Sequence, residues 1–142
     1  MTKISNKAKI LFIDDSQTEI KYLNLLFQIS DFPAEPIFIN SALVALEFLD
    51  TLLTIEFPDV IIVDINMPLM NGFEFANKYL EKFHPLYPKT SLFIYSTSIN
   101  SADIRKAESI SSVKGFISKP FDEKNFNNII LPCFDHKLSI KS

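Results

Sequence analysis

Three aspartates, a lysine and a hydroxyl stand at or just past the ends of short apolar runs, and their types point to one chemistry. Asp14 and Asp15 follow ILFI at 10–13, Asp64 follows VIIV at 60–63, Ser96 and Thr97 follow LFIY at 92–95, and Lys119 follows VKGFIS at 113–118. Carboxylates gathered in one place raise each other's pKa unless a cation lies among them. With no histidine or cysteine nearby the donors are all oxygen. That set suits a hard divalent ion, and Mg²⁺ better than Ca²⁺ or Zn²⁺ where few protein ligands share the site with phosphate. The lysine and one hydroxyl then remain to hold phosphoryl oxygens, and an aspartate at the metal can serve as nucleophile.

These residues share a site only if the runs share a sheet. Apolar runs alternate with longer stretches of helical period, which argues for a parallel sheet with helices on both faces. Five strands are expected, at 10–13, 36–39, 60–63, 92–95 and 113–118. Ser16 and Glu19 read as a capping box opening the first helix, with Ile20, Leu23, Leu26 and Phe27 on its buried face. Ser41 caps SALVALEFLDTLL, and Asn71-Gly72 signals a turn before FEFANKYLEKF. HPLYPKT reads as a loop, Asn100 or Ser101 caps the fourth helix, and DEKNFNNIIL forms the last, ended or kinked by Pro132. The expected fold is α/β, a doubly wound (βα)5 sheet of flavodoxin-like order 2-1-3-4-5 with right-handed crossovers. In such a sheet ligands bind beyond the carboxyl ends of the strands, where the polar residues stand.

At 142 residues the chain has the length of one domain, 1–142, with a core at about 8–131 and a tail at 132–142. It is 47% hydrophobic and 22% charged, a globular balance that excludes global disorder. A net charge of -3 with scattered lysines leaves no basic stripe for nucleic acid. The short apolar run near the amino terminus is neither a signal-peptide core nor a membrane span, so a cytoplasmic protein is expected. Cys133 has no partner for a disulfide or a CxxC site and reads as a small hydrophobe. His84 and His136 lack metal spacing and read as solvent-exposed. Phe73, Phe75, Tyr79 and Phe83 read as helix packing.

FIDDS at 12–16, VDINMPLMNGFE at 63–74, YSTS at 95–98 and KGFISKPF at 114–121, in this order, resemble the response-regulator receiver family of two-component phosphorelay signalling. The resemblance spans almost the whole chain. It implies that Asp64 is the phosphoacceptor, that Asp15 binds Mg²⁺ directly with Asp14 positioning it through water, and that the Asn66 backbone carbonyl is a further ligand. It implies that Ser96 is the switch hydroxyl, Lys119 the lysine that pairs with a phosphoryl oxygen, Phe116 the switch aromatic, and Lys119-Pro120 a cis peptide. The implied donor is a histidine kinase or a histidine phosphotransfer protein. The implied output is a downstream protein bound through the fourth helix, fifth strand and fifth helix, a surface taken to include Arg105, Lys106 and Phe126. Thr97 departs from the family's frequent alanine, the loop before the fourth strand is long, and the tail has no counterpart.

Taken singly, each residue has a plainer reading. Asp14-Asp15 is a helix-capping feature, Asp64 turn chemistry, Lys119 a surface lysine, Ser96 a strand hydroxyl and Phe116 a core aromatic. Their common edge joins them into a site. The expectation is a stand-alone receiver that catalyses only its own phosphorylation and dephosphorylation. Two rivals are a haloacid-dehalogenase-type phosphatase, which needs a second acid where Asn66 stands, and an interaction module that keeps the fold without the chemistry.

Overall fold

The computed structural model describes residues 7–97 and 100–134. The first strand, β1 (Ala8–Ile13), leads into helix α1 (Gln17–Ile29), followed by β2 (Ala34–Ile39) and α2 (Ala42–Thr51). Then come β3 (Val60–Asp64), α3 (Gly72–Lys82), β4 (Ser91–Ser96), α4 (Ser101–Glu108) and β5 (Val113–Ser118). Helix α5 begins as Glu123–Asn125, continues as a π turn at Phe126–Ile130, and closes in a 3-10 turn at Leu131–Phe134. The strands form one parallel sheet in the order β2-β1-β3-β4-β5, as expected.

Strand period two divides the core between the faces of this sheet. Leu11, Ile13, Ile61, Val63, Leu92 and Ile94 pack against α2, α3 and α4 through Ala45, Leu49, Phe75, Ala76, Tyr79 and Ala107. Ile10, Phe12, Val60, Ile62, Phe93 and Tyr95 pack on the other face against α1 and α5, through Leu23, Phe126, Ile130 and Phe134. β3 is buried along its whole length, which is why VIIVD is a continuous apolar run ending in one acid. Pro36 falls inside β2, an edge strand, where a missing N–H costs little pairing.

Polar side chains set where the helices begin. Ser41 accepts from the Val44 amide and Asn100 from the Asp103 amide. Asn71 and Glu74 cap each other's backbone at 2.9 and 3.0 Å. The Asn71-Gly72 pair is therefore a helix start, where a turn was expected; with its side chain bonded to the third amide, Asn71 nucleates α3. The expected box at α1 is half made. Ser16 accepts from the Glu19 amide, but the Glu19 carboxylate accepts from the Tyr95 hydroxyl.

Three further expectations change. His84 is half-buried with its Nδ1 sealed from solvent, because the loop after α3 folds back through the His84 amide to the Tyr79 carbonyl. Phe126 is buried and stacks on Phe32 at 4.1 Å between ring centroids, so it belongs to the core and not to an output surface. The buried set also reaches Phe134, three residues past the expected end of the core at 131. His136 lies outside the described residues. Phe73, Phe75, Tyr79 and Phe83 are all buried, as read. Among the described residues no helix is long and apolar enough to cross a membrane.

Candidate functional site

Register brings the polar strand ends together. Ile13 pairs with Val63, so Asp14 emerges beside Asp64; Asp64 pairs with Tyr95, and Ser96 with Ser118, so Ser96 and Lys119 close the other side. Asp14 and Asp64 are buried and Asp15 is exposed. One carboxylate oxygen from each of the three lies within 4.8 Å of the others. The Lys119 ammonium donates to Asp14 Oδ2 at 2.9 Å and lies 3.1 Å from Asp64 Oδ1.

Backbone contacts hold these groups in place. The Asp14 amide donates to the Ile39 carbonyl, and Asp14 Oδ1 accepts from the Ser16 amide. The Lys119 amide donates to the Ser96 carbonyl at 2.9 Å, and the Lys119-Pro120 peptide is cis. Gly72 sits so close to the end of β3 that a Cβ there would come 2.5 Å from the Asp64 carbonyl oxygen. Only glycine lets α3 start this near the site.

The electrostatics follow from that crowding. Burial, and then the Asp14 charge, push the Asp64 carboxyl from its usual 3.8 to about 6, with Lys119 pulling the other way. Burial alone would lower the Lys119 pKa, but the hydrogen bond and charge of Asp14, and then of Asp64, outweigh it and raise it. Three carboxylates against one ammonium leave two uncompensated negative charges, the charge of one divalent cation. The donors are all hard oxygens, and their spacing lets a small rearrangement close them around such an ion, so these residues fit Mg²⁺.

Residues 10–131 match the family model of the response regulator receiver domain. The chain belongs to that family. Among solved structures, this receiver domain is similar to a two component response regulator from Cytophaga hutchinsonii, at 26% identity and a TM-score of 0.81, covering 91% of this chain and 98% of that one. It shares its fold with the phosphorylated cyanobacterial phytochrome response regulator RcpA, at 22% identity, TM-score 0.70, and coverage of 96% and 97%. The same holds for the Mn(2+)-bound form of response regulator Rcp1, at 20% identity, TM-score 0.67, and coverage of 95% and 97%. A search of curated proteins returns no match.

Of the residues singled out in the sequence, Asp14, Asp15, Asp64 and Lys119 meet directly. Asn66 is exposed, two residues past the end of β3. Ser96 is buried at the end of β4 and Thr97 is exposed. Phe116 pairs in register with Ile94, which puts it on the same sheet face as Ser96, half-buried against a cavity of about 440 Å³ beside α4. Three neighbours of the site were missed: Gly72, Glu19 and Tyr95. Gly72 was visible only as half of a turn signal. Glu19 was assigned to a cap, and Tyr95 to an apolar run whose one hydroxyl was the available sign.

Proposed function

We propose that this receiver domain takes a phosphoryl group onto Asp64 from a phosphohistidine on a histidine kinase or phosphotransfer protein. The observation that carries the reading is a strand-end carboxylate 3.1 Å from the Lys119 ammonium and within 4.8 Å of the Asp14 and Asp15 oxygens. An oxygen of Asp64 attacks phosphorus, the P–N bond of the donor breaks, and its electron pair stays on the imidazole. A mixed carboxylic-phosphoric anhydride forms on Asp64. Lys119 holds a phosphoryl oxygen by a charge-assisted hydrogen bond, and Asp14 keeps the ammonium aimed there.

Asp14, Asp15, Asp64 and the Asn66 carbonyl would hold Mg²⁺, which supplies charge neutralisation at the transferring group. Its support is the all-oxygen donor set, together with the Mn(2+)-bound state of the related Rcp1. The phosphorylated state of the related RcpA supports the acceptor role in the same way. In dephosphorylation water attacks phosphorus, the bond between phosphorus and the Asp64 oxygen breaks, inorganic phosphate leaves and Asp64 returns to the carboxylate, with no separate substrate turned over. The added charge draws the Ser96 hydroxyl toward the phosphoryl group, Phe116 turns into the vacated space, and the surface of α4, β5 and α5 that carries Arg105 and Lys106 changes its affinity for a protein partner.

The test is intact-mass measurement after incubation with acetyl phosphate and Mg²⁺. The wild type gains one phosphoryl unit and loses it on exposure to hydroxylamine. Equal labelling of Asp64→Asn would show that the acceptor lies elsewhere.

A further inference from the structure

We infer that Tyr95 is a positioning residue for Lys119, acting through both its ring and its hydroxyl. The inference rests on the phosphoacceptor reading of Asp64 and adds a residue to it. Tyr95 is the residue of β4 directly before Ser96 and is fully buried. The Lys119 ammonium lies over its ring, 5.0 Å from Nζ to the centroid. Its hydroxyl donates to Glu19 Oε2 at 2.6 Å and accepts from the Phe121 amide at 3.0 Å.

Each contact constrains a different part of the lysine. Pro120 has no N–H, so the Phe121 amide is the first donor after Lys119, and Phe121 is fully buried. Without the Tyr95 oxygen that amide has no partner among the bonds seen here. On the other side, the Lys119 amide is bonded to the Ser96 carbonyl. The turn carrying Lys119 is thus tied at both ends to consecutive residues of β4, Tyr95 and Ser96. The ring face then gives the ammonium a third, electrostatic contact besides Asp14 and Asp64.

Glu19 completes the arrangement. With the Ser16 amide bonded to Asp14 Oδ1, the Glu19 carboxylate accepts from Tyr95 instead, which orients the hydroxyl so that its lone pair faces Phe121. Burial, then the Glu19 hydrogen bond and charge, push the Tyr95 phenol above its usual range, so it stays protonated and remains a donor. A half-buried acid in α1, a buried phenol in β4 and a buried amide after the cis peptide therefore form one chain ending at the lysine.

The experiment measures acetyl phosphate labelling of the full chain under saturating donor and Mg²⁺, beside an Mg²⁺ titration by calorimetry, at a temperature where each variant is folded by NMR. Tyr95→Phe keeps the ring and the core volume and removes the hydroxyl. It should slow the saturating rate roughly 10- to 100-fold, as small displacements of reacting groups do. Mg²⁺ affinity should stay within about twofold, because the proposed metal ligands are untouched. Glu19→Ala, which leaves the buried tyrosine in place, should slow labelling in the same direction. Glu19→Gln, which keeps an acceptor oxygen, should recover rate relative to Glu19→Ala. A purely structural role predicts lower melting temperatures with wild-type rates for the folded variants, and that result overturns the inference. A wild type that takes no label overturns the phosphoacceptor reading and this inference together. Normal wild-type labelling with unaltered rates in Tyr95→Phe and Glu19→Ala overturns this inference alone.

Discussion

Replacing Asp64 by asparagine should make the metal-free protein more stable, and increasingly so as pH rises. The native state holds the Asp64 proton up to about 6, whereas an unfolded chain releases it near 3.8. Between those values the native state binds more protons than the unfolded state, so this group's contribution to stability falls with pH. The contribution is complete below 3.8 and is lost as pH passes through about 6. A shift of just over two pKa units, at 1.36 kcal/mol each, sets a ceiling of about 3 kcal/mol. In Asp64→Asn the titration is gone, and the Lys119 contact needs no separate correction, because its attraction to the ionised carboxylate is already part of the balance that sets the value of about 6. The stability gap between variant and wild type should therefore widen by up to about 3 kcal/mol from pH 4 to pH 7.5.

Urea unfolding followed by circular dichroism, in chelator, at several pH values measures that gap as a change in midpoint at constant slope. For a chain of this length 3 kcal/mol corresponds to a melting shift of about 10 °C. Saturating Mg²⁺ should narrow the gap at pH 7.5, since the cation favours the ionised wild-type carboxylate and gains little from the amide. A gap that stays flat between pH 4 and pH 7.5 would refute the argument that burial and Asp14 hold the Asp64 proton.

Gly72→Ala places a methyl group 2.5 Å from the Asp64 carbonyl oxygen, and because that neighbour is backbone it cannot swing away. It should cost about 1–3 kcal/mol in urea unfolding and slow acetyl phosphate labelling by displacing the end of β3. Ser96→Ala should still be labelled on Asp64, yet show weakened coupling to α4. NMR spectra with and without beryllofluoride check this: wild-type shifts should reach Phe116 and Arg105, and those shifts should shrink in the variant.

The strands were legible because each is a short apolar run bounded by polar or turn-forming residues, and the parallel order followed from the helices between them. The site was legible for the same reason, since chemistry placed at strand ends converges whenever the strands are neighbours. What escaped was set by contacts distant in sequence. Ser16 and Glu19 obey the local capping pattern, but Asp14 Oδ1 takes the Ser16 amide and a buried phenol 76 residues away takes the Glu19 carboxylate. Asn71-Gly72 obeys the turn pattern equally well; only the approach of α3 to Asp64 turns the glycine from permissive to required. His84 and Phe126 were misplaced because a polar neighbourhood in sequence does not reveal how a loop folds back or which face of a helix meets α1. In each case the local rule was sound and tertiary packing selected a different use for the residue.

Two consecutive residues of β4 separate the site's environment into unequal halves. Alternation along the strand turns Tyr95 toward α1 and α5, while Ser96 shares the opposite face with Ile94 and its register partner Phe116. On the Tyr95 side Phe12, Phe27, Phe121 and Phe126 interlock, with ring centroids 5.6 to 6.4 Å apart. Such a close-packed wall resists displacement, because any shift must move several rings together. On the Ser96 side the cavity of about 440 Å³ against Ile104, Ala107 and Phe116 leaves room for a ring to move. A charge added at Asp64 would thus meet a rigid neighbour through Lys119 and Tyr95 and a compliant one through Ser96. On the proposed reading, displacement would run toward α4, because that is the direction in which little packing has to be broken. Under the proposed roles, the same asymmetry would let a positioning residue, Tyr95, and a switch residue, Ser96, stand side by side without interfering. The pleat of a single strand sets Tyr95 on the close-packed face and Ser96 on the face that carries the cavity.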